Sequence, residues 1–320
     1  MVSIRENYKP IVVIVGPTAS GKSDAAQIVA ESINAEIISA DALQVYREMD
    51  IGTGKLSSKD MRVKHHLIDI VDPNKTYSVS KFQRDARQCI FDIQKCNKSV
   101  ILCGGTGFYV RSVIDDYDYS EASDATKKYR SEIQEITQNM TNREAWDYLN
   151  EKDDLSAKEI EINDRKRVLR ALELNFSGQS YFQNKQNLKN ISQVIDAIMI
   201  GISVDREILA NSISIRVDRM LEKGLISEVE KLLDEGFRES LTAPNAIGYK
   251  EIVDYLDGNI SLDRAITDIK THTRRYAKRQ RTWFRADSRI QWIDGNSCNP
   301  EIIAESALKL IKSDTLYCRL

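Results

Sequence analysis

"IVVIVGPTASGKS", residues 11–23, decides the fold. Five consecutive β-branched residues, Ile11 to Val15, make an unbroken apolar run, the pattern of a strand buried on both faces. The next eight, Gly16, Pro17, Thr18, Ala19, Ser20, Gly21, Lys22 and Ser23, match G-x-x-x-x-G-K-[ST]. In that arrangement the backbone N–H groups of a glycine-rich turn and of the following helix N-terminus converge on an anion. Lys22 adds a point charge and Ser23 a hydroxyl for Mg²⁺. The loop is therefore expected to hold a phosphate chain. A nucleoside triphosphate is its commonest occupant.

Downstream of the loop, strand and helix patterns alternate. A helix is expected from Lys22 to about Ser32, and "EIISA", 36–40, reads as a second strand ending at Asp41. "HHLIDIV", 65–71, reads as a third strand, and 79–96 as a helix with Ser78 as its N-cap. "SVILCGG", 99–105, is a fourth strand running into a helix at 107–114. This alternation predicts an α/β fold, a mostly parallel sheet with helices on both faces around the P-loop. From about residue 116 to 190 the chain turns polar, charged and helical. Residues 117–195 are expected to form an inserted helical subdomain, with 1–116 and 196–320 forming the P-loop core. "DAIMIGISV", 196–204, restores the strand signal. Helices are expected at about 206–235, 247–257 and 262–286, then a strand at "RIQWID", 289–294, and a terminal helix.

The 320 residues suffice for one large domain or two modest ones with a real core. Hydrophobic content of 42% and charged content of 29% fit a globular chain. No apolar run approaches the roughly 20 residues that span a bilayer, and residues 1–10 lack the apolar segment of a secretory signal. A cytoplasmic protein without membrane association is expected. Cys89, Cys96, Cys103, Cys298 and Cys318 form an odd, scattered set without C-x-x-C or zinc spacing, which points to reduced thiols.

Net charge is −2, yet residues 270–289 carry eight basic side chains and one acid, Asp287. That segment holds +7, so the remainder sums to −9. Within it "RRYAKRQRTWFR", 274–285, contains no acid. On a helix advancing about 100° per residue, Arg274, Lys278, Arg281 and Arg285 form one stripe, widened by Arg275 and Arg279. Tyr276, Ala277, Trp283 and Phe284 fall on the other side and are expected to pack inward. The cations then face out as a strip suited to a nucleic-acid backbone. In "NDRKRVLRALE", 163–173, Lys166, Arg167 and Arg170 share a face opposite Leu169, Leu172 and Phe176. Alone that is more often a solvated surface helix; beside the first strip it suggests two basic walls.

Asp41 ends its strand at the sheet edge where open parallel sheets bind ligands. Three roles are open to it: general base, metal ligand or helix N-cap. "GGTGFY", 104–109, makes a second glycine-rich turn at the same edge, where Thr106 either points its hydroxyl at a phosphate or serves a tight strand–helix turn. His65 and His66 alternate faces of a strand, which favours packing and hydrogen bonding over a shared metal. The chain has no N-K-x-D guanine signature, and a metal-binding Walker-B role for Asp41 stays open, so these residues leave a kinase possible.

Together these motifs resemble the tRNA dimethylallyltransferases, or tRNA isopentenyltransferases, nearly end to end. The strings that carry the resemblance are "GPTASGKS", "IISADALQVYREMDIGTGK", "HHLIDIVDP", "YSVSKFQRDA", "GGTGFYV", "NDRKRVLRALE", "RVDRMLEKGLISEV", "NAIGYKEIVDYLDG" and "RRYAKRQRTWFR", in the family's order. The zinc-finger extension of eukaryotic members is absent, which implies the bacterial type. The resemblance implies transfer of a dimethylallyl group from its diphosphate to N6 of the adenosine 3′-adjacent to the anticodon. The tRNAs are those reading codons that begin with U. Diphosphate leaves and Mg²⁺ assists. It further implies tRNA and dimethylallyl diphosphate as partners, and a monomer is expected.

Roles follow from the resemblance residue by residue. Gly16 to Ser23 would hold the diphosphate, with Ser23 on Mg²⁺. Lys22 and Arg216 would neutralise the charge that develops as the C–O bond breaks. Asp41 would accept the adenine amine proton, and Thr106 would contact the diphosphate or the substrate nucleotide. Asp41, Ala42, Leu43 and Gln44 would read the target base. The tRNA would be held by Arg130, by Lys166, Arg167, Val168, Leu169 and Arg170, and by Asn245, Ala246, Ile247, Gly248, Tyr249 and Lys250. Lys278, Arg279, Gln280, Arg281, Thr282, Trp283, Phe284 and Arg285 complete the set.

Two departures from the family pattern stand out. The acid is usually followed by Ser, here Ala42, which removes a hydroxyl contact while leaving a backbone one available. After "MDIGT" the family usually has Ala-Lys-Pro; here Gly54-Lys55-Leu56 is expected to make the loop more mobile. Rival readings are a small-molecule P-loop kinase, prenylation of free adenine nucleotides, and a non-catalytic tRNA-binding protein. The cationic helix and the helical insertion distinguish the tRNA enzyme from the first two.

Overall fold

The computed structural model describes residues 8–117, 120–187, 191–239 and 243–319. At the centre of a six-stranded sheet lies β1 (Ile11–Val15). None of its residues is more than 1% exposed. Such burial requires pairing on both edges and cover on both faces, and it contributes roughly 1.5–3 kcal/mol per large side chain. The chain continues through α1 (Lys22–Ser32), β2 (Ala35–Ser39), β3 (His65–His66), α2 (Val79–Lys95), β4 (Ser99–Gly104) and α3 (Gly107–Ile114). Ser78 caps α2, its hydroxyl accepting the Lys81 N–H at 3.2 Å. With β5 (Ala197–Ser203) and β6 (Gln291–Asp294) the strand order is β3-β2-β4-β1-β5-β6, and every ladder is parallel. Val13 pairs with Leu102 on one side and Met199 on the other.

The chain divides into two compact units, residues 115–193 and the remainder. These boundaries lie two residues before those expected from composition. The smaller unit contains α4 (Ser120–Thr137), α5 (Asn142–Lys152), α6 (Asp154–Lys158), α7 (Arg165–Phe176) and α8 (Tyr181–Asn187). It has its own core, with Ile133, Ala145, Leu149, Val168 and Leu172 all buried. The larger unit resumes at β5 and adds α9 (Arg206–Glu222), α10 (Leu225–Asp234), α11 (Tyr249–Leu256), α12 (Leu262–Arg285) and α13 (Pro300–Ser313). No helix among the described residues is long and apolar enough to cross a membrane. All five cysteines are free thiols.

The structure corrects three expectations. The strand expected over 65–71 shrinks to His65–His66, because Leu67 (φ 59°) and Asp69 (φ 56°) adopt left-handed backbone that no strand accommodates. Only an isolated bridge, Tyr46 to Val71, survives from the rest of it. The single helix expected over 206–235 is two, α9 and α10, separated at Gly224 with φ 96°. Trp283, expected to pack inward, is 45% exposed. His66 and His65 make the expected hydrogen bonds, to the Glu36 carboxylate at 2.6 Å and to the Val63 carbonyl at 2.9 Å.

Candidate active site

The P-loop turns at the carboxyl edge of the sheet, directly after β1. Ala19 (φ 63°) and Gly21 (φ 77°) are left-handed, a backbone pattern that turns N–H groups toward a common concavity. Ser20 Oγ is buried there, and it alone among the described residues is a buried side-chain oxygen or nitrogen without a hydrogen-bond partner. Buried polar atoms are ordinarily satisfied, and an anion seated in the loop would supply what this hydroxyl lacks. Lys22 Nζ donates to the Pro17 carbonyl at 3.3 Å. Burial lowers the Lys22 pKa; Cys103 and Asp41 oppose that, and the Arg216 charge adds to it.

Parallel pairing of β2 with β4 sets Ser39 opposite Cys103, so Asp41 and Thr106 emerge at the same edge. The Thr106 N–H donates to the Ala40 carbonyl at 3.1 Å, and Thr106 Oγ1 accepts the Ala42 N–H at 3.1 Å. The backbone contact left open by the Ser-to-Ala departure is thus present. The Leu43 N–H donates to Asp41 Oδ1 at 2.9 Å, which fixes the carboxylate in an Asx turn and leaves Oδ2 for another donor. Asp41 raises the pKa of both Lys22 and Arg216 against the burial that lowers them. One carboxylate and two cations therefore share a single electrostatic environment.

Arg216 reaches this place from α9. Its Nη2 donates to the Thr53 carbonyl at 3.1 Å. Gly54 (φ 65°) lies directly against the guanidinium, where a Cβ would collide with Nη2. The neighbouring loop is anchored, contrary to the mobility expected from its sequence. The Lys55 side chain is 3% exposed, and its ammonium donates to the Tyr46 carbonyl at 2.5 Å, to Asp50 at 2.7 Å and to Asp69. Glu228 of α10 accepts three successive N–H groups, Asp50 at 3.0 Å, Ile51 at 2.7 Å and Gly52 at 3.1 Å, together with the Tyr249 hydroxyl at 2.6 Å. Residues far from the P-loop in sequence thereby fix the carbonyl that positions Arg216.

The cationic helix α12 has two unlike faces. Arg274, Arg275, Lys278, Arg279 and Arg285 are exposed and Arg281 is half-buried. The opposite face holds Ala277 and Phe284, both buried, and Gln280, 5% exposed. Gln280 Oε1 accepts the Thr18 N–H at 2.9 Å, and Nε2 donates to the Gly105 carbonyl at 2.9 Å. Tyr276 lies half-buried beside them. Burial, then the Asp41 charge, push its pKa up to about 12, while Thr106, Arg279 and Gln280 pull it down. The exposed Trp283 sits edge-on to Phe108, with ring centroids 6.4 Å apart.

Several other residues expected at a tRNA surface turn inward. The side chains of Val168, Ala246, Tyr249, Gln280 and Phe284 are buried, so each supports a surface without presenting itself there. Gly248 is buried as well, and Ile247 and Leu169 are half-buried. Asn245, Lys250 and Thr282 are exposed. In the smaller unit the second basic wall is partly neutralised: Arg130 and Arg170 both pair with Glu173, at 3.1 and 2.9 Å, and Arg167 pairs with Asp164 at 2.6 Å. Lys166 is exposed.

An open cleft adjoins the P-loop. Its lining is apolar at Ala26, Ile37, Leu56, Ile68 and Cys103, and polar at Ser23, Ser39, Gln44 and His65. Gln44 is held there by the Ser39 hydroxyl, which donates to its Oε1 at 2.9 Å. No group of three or more His, Cys, Asp or Glu among the described residues is arranged to hold a metal ion.

Sequence reasoning missed the burial of Gln280, the unpartnered Ser20 hydroxyl and the anchoring role of Glu228. A glutamine uninterrupted by acids within a cationic helix was the one available signal for the first. The other two depend on contacts distant in sequence.

The family profile described as IPP transferase matches residues 44–287. A tRNA dimethylallyltransferase of Carboxydothermus hydrogenoformans is 44% identical over 93% of this chain and 96% of its own length. One from Staphylococcus aureus is 38% identical over 97% of this chain and 100% of its own. Among solved structures, a tRNA delta(2)-isopentenylpyrophosphate transferase from Staphylococcus epidermidis matches with a TM-score of 0.70 and 37% identity, covering 96% of this chain and 100% of that one. A eukaryotic dimethylallyltransferase acting on tRNA matches with a TM-score of 0.81 and 26% identity, covering 98% and 80%. With a profile match over most of its length and relatives of this identity end to end, the chain belongs to the IPP transferase family, the tRNA dimethylallyltransferases.

Proposed function

We propose that this protein transfers the dimethylallyl group of dimethylallyl diphosphate to N6 of the adenosine 3′-adjacent to the anticodon, in tRNAs reading codons that begin with U. Dimethylallyl transfer to tRNA is the activity of its family, and neither a kinase nor a free-nucleotide prenyltransferase finds support among its relatives. The observation that carries the finer reading is the juxtaposition of one carboxylate, Asp41, with two half-buried cations, Lys22 and Arg216, beside a loop holding an orphan hydroxyl.

In this reading the loop from Gly16 to Ser23 takes the diphosphate, and Ser20 Oγ donates to one of its oxygens. The apolar part of the adjoining cleft takes the five-carbon chain. The target adenosine leaves the anticodon stack to reach the edge where Asp41 stands. Its N6 lone pair attacks the allylic carbon as the C–O bond breaks, and the electron pair leaves with diphosphate. Lys22 and Arg216 stabilise that developing charge. Asp41 Oδ2 accepts the N6 proton, while Oδ1 stays on the Leu43 N–H and keeps the carboxylate oriented. An exocyclic amine is a weak nucleophile, so this orientation contributes as much as basicity. Ser23 would hold Mg²⁺, which would supply further neutralisation of the leaving diphosphate.

The tRNA backbone lies along the exposed cations of α12, with Arg130, Lys166, Arg167, Arg170, Asn245 and Lys250 as further contacts. The test is incubation with dimethylallyl diphosphate, Mg²⁺ and unmodified tRNA, followed by digestion and mass spectrometry of the nucleosides. Prenylated adenosine from tRNAs reading U-initial codons is expected. Its absence from every tRNA offered would refute the reading.

A further inference from the structure

One carboxamide joins three separate parts of the larger unit. Gln280 Oε1 accepts the N–H of Thr18 in the phosphate loop, 262 residues away, and Nε2 donates to the carbonyl of Gly105 in the turn that leads to Thr106. Both bonds are 2.9 Å and the side chain is 5% exposed. Gly105 is a glycine for this contact, since a Cβ there would collide with Nε2. The chemistry requires an amide. A glutamate cannot donate to the Gly105 carbonyl, a lysine cannot accept from Thr18, and an apolar side chain does neither. On the same helix, Lys278 and Arg279 lie within one turn of Gln280, exposed and without an ion pair to any described carboxylate. The outward face that attracts a polyanion and the inward face that holds the cradle are thus parts of one rigid element.

We propose that Gln280 is a positioning residue that couples the cationic face of α12 to the phosphate cradle, so that tRNA and the diphosphate group bind cooperatively. The inference rests on the reading of the site as a tRNA prenyltransferase. Seating a phosphate backbone on α12 fixes the carboxamide, the carboxamide fixes the Thr18 N–H and the Gly105 turn, and the cradle is then preorganised for the diphosphate. By linkage the diphosphate favours tRNA binding by the same factor.

The test is a binding cycle with inorganic diphosphate and Mg²⁺ as one ligand and unmodified tRNA as the other. In the wild-type protein, saturating tRNA is expected to tighten diphosphate binding about 5-fold or more, and diphosphate to tighten tRNA binding equally. Gln280→Met is expected to reduce both factors to under about 2-fold while each ligand still binds alone. Gly105→Ala, which presses on the same carboxamide from the opposite side, is expected to lose the coupling too and serves if the first variant is unstable. A merely structural role would weaken both affinities and leave their ratio unchanged. An unchanged ratio in both variants, or independent binding in the wild type, overturns the inference alone. Failure of the wild type to bind tRNA or diphosphate overturns the prenyltransferase reading with it.

Discussion

Thr106 and Ala42 are tied side chain to backbone: Thr106 Oγ1 accepts the Ala42 N–H at 3.1 Å. That bond locks the segment after Asp41 to the segment after β4, and so sets where the Asp41 carboxylate points. Thr106→Ala removes the acceptor. We expect kcat/KM for tRNA prenylation to fall about 10- to 100-fold, some 1.4–2.7 kcal/mol of transition-state stabilisation. Thr106→Ser keeps the hydroxyl and should recover most of the loss in the same steady-state assay.

Asp41→Asn preserves the Asx turn, because the amide oxygen can still accept the Leu43 N–H. The fold should therefore survive, with a thermal midpoint within a few degrees of the parent, about what a loss of under 1 kcal/mol produces. What disappears is the proton acceptor. A fall in kcat of roughly 10²–10⁴ is expected by single-turnover kinetics, with tRNA affinity nearly unchanged.

Lys55 lies 3% exposed between Asp50, Asp69 and the Tyr46 carbonyl. Replacing it by Met leaves that carbonyl and two carboxylates without their donor. Urea denaturation should show a loss of about 2–4 kcal/mol. Activity should fall as well, because the same loop presents the Thr53 carbonyl to Arg216.

At acid pH, stability should depend on Glu36. Burial pushes its carboxyl up, but hydrogen bonds from Lys98 and His66 outweigh this and hold it below its ordinary value of 4.5. With the folded pKa depressed, the unfolded chain binds the proton more tightly, and stability rises with pH between the two values. The contribution is complete above about pH 4.5 and fades as pH falls through the folded value. Glu36→Gln should cost about 1–3 kcal/mol at pH 7 and progressively less in melts below pH 4.

Lys278 and Arg285 present exposed charge with no ion pair to a described carboxylate. Neutralising each to Gln should weaken tRNA binding across all tRNAs and lower the slope of log K against log salt by roughly 1 for each phosphate no longer neutralised. Filter binding between low and moderate salt measures the slope; an unchanged slope would remove these two residues from the interface.

The buried strand and the phosphate loop were legible because both signals are local: an apolar run long enough to be buried on two faces, then a glycine-spaced turn. The strand expected at 65–71 failed for a reason that local composition hides. Leu67 and Asp69 take left-handed backbone without being glycine, held by tertiary contacts such as the Asp69 N–H donating to the Gln44 carbonyl at 3.1 Å. Helical periodicity placed Phe284 correctly inside but not Trp283, since a wheel gives direction and not what lies opposite. The dual role of α12 was only half visible. A run of cations announces its outer face, whereas Gln280 acquires its role through partners 262 and 175 residues away. The Gly54-Lys55-Leu56 departure suggested looseness; Lys55 instead closes the loop, because its stem is buried and its ammonium meets two acids.

The central claim is that this P-loop assists cleavage of an allylic carbon–oxygen bond, with the phosphate chain leaving whole. Dimethylallyl diphosphate carrying oxygen-18 in the bridge between the allylic carbon and phosphorus tests it most directly. After turnover with tRNA, one diphosphate is expected per prenylated adenosine, with the label retained in diphosphate. Label retained on a dimethylallyl alcohol or phosphate, or release of inorganic monophosphate in place of diphosphate, would contradict it.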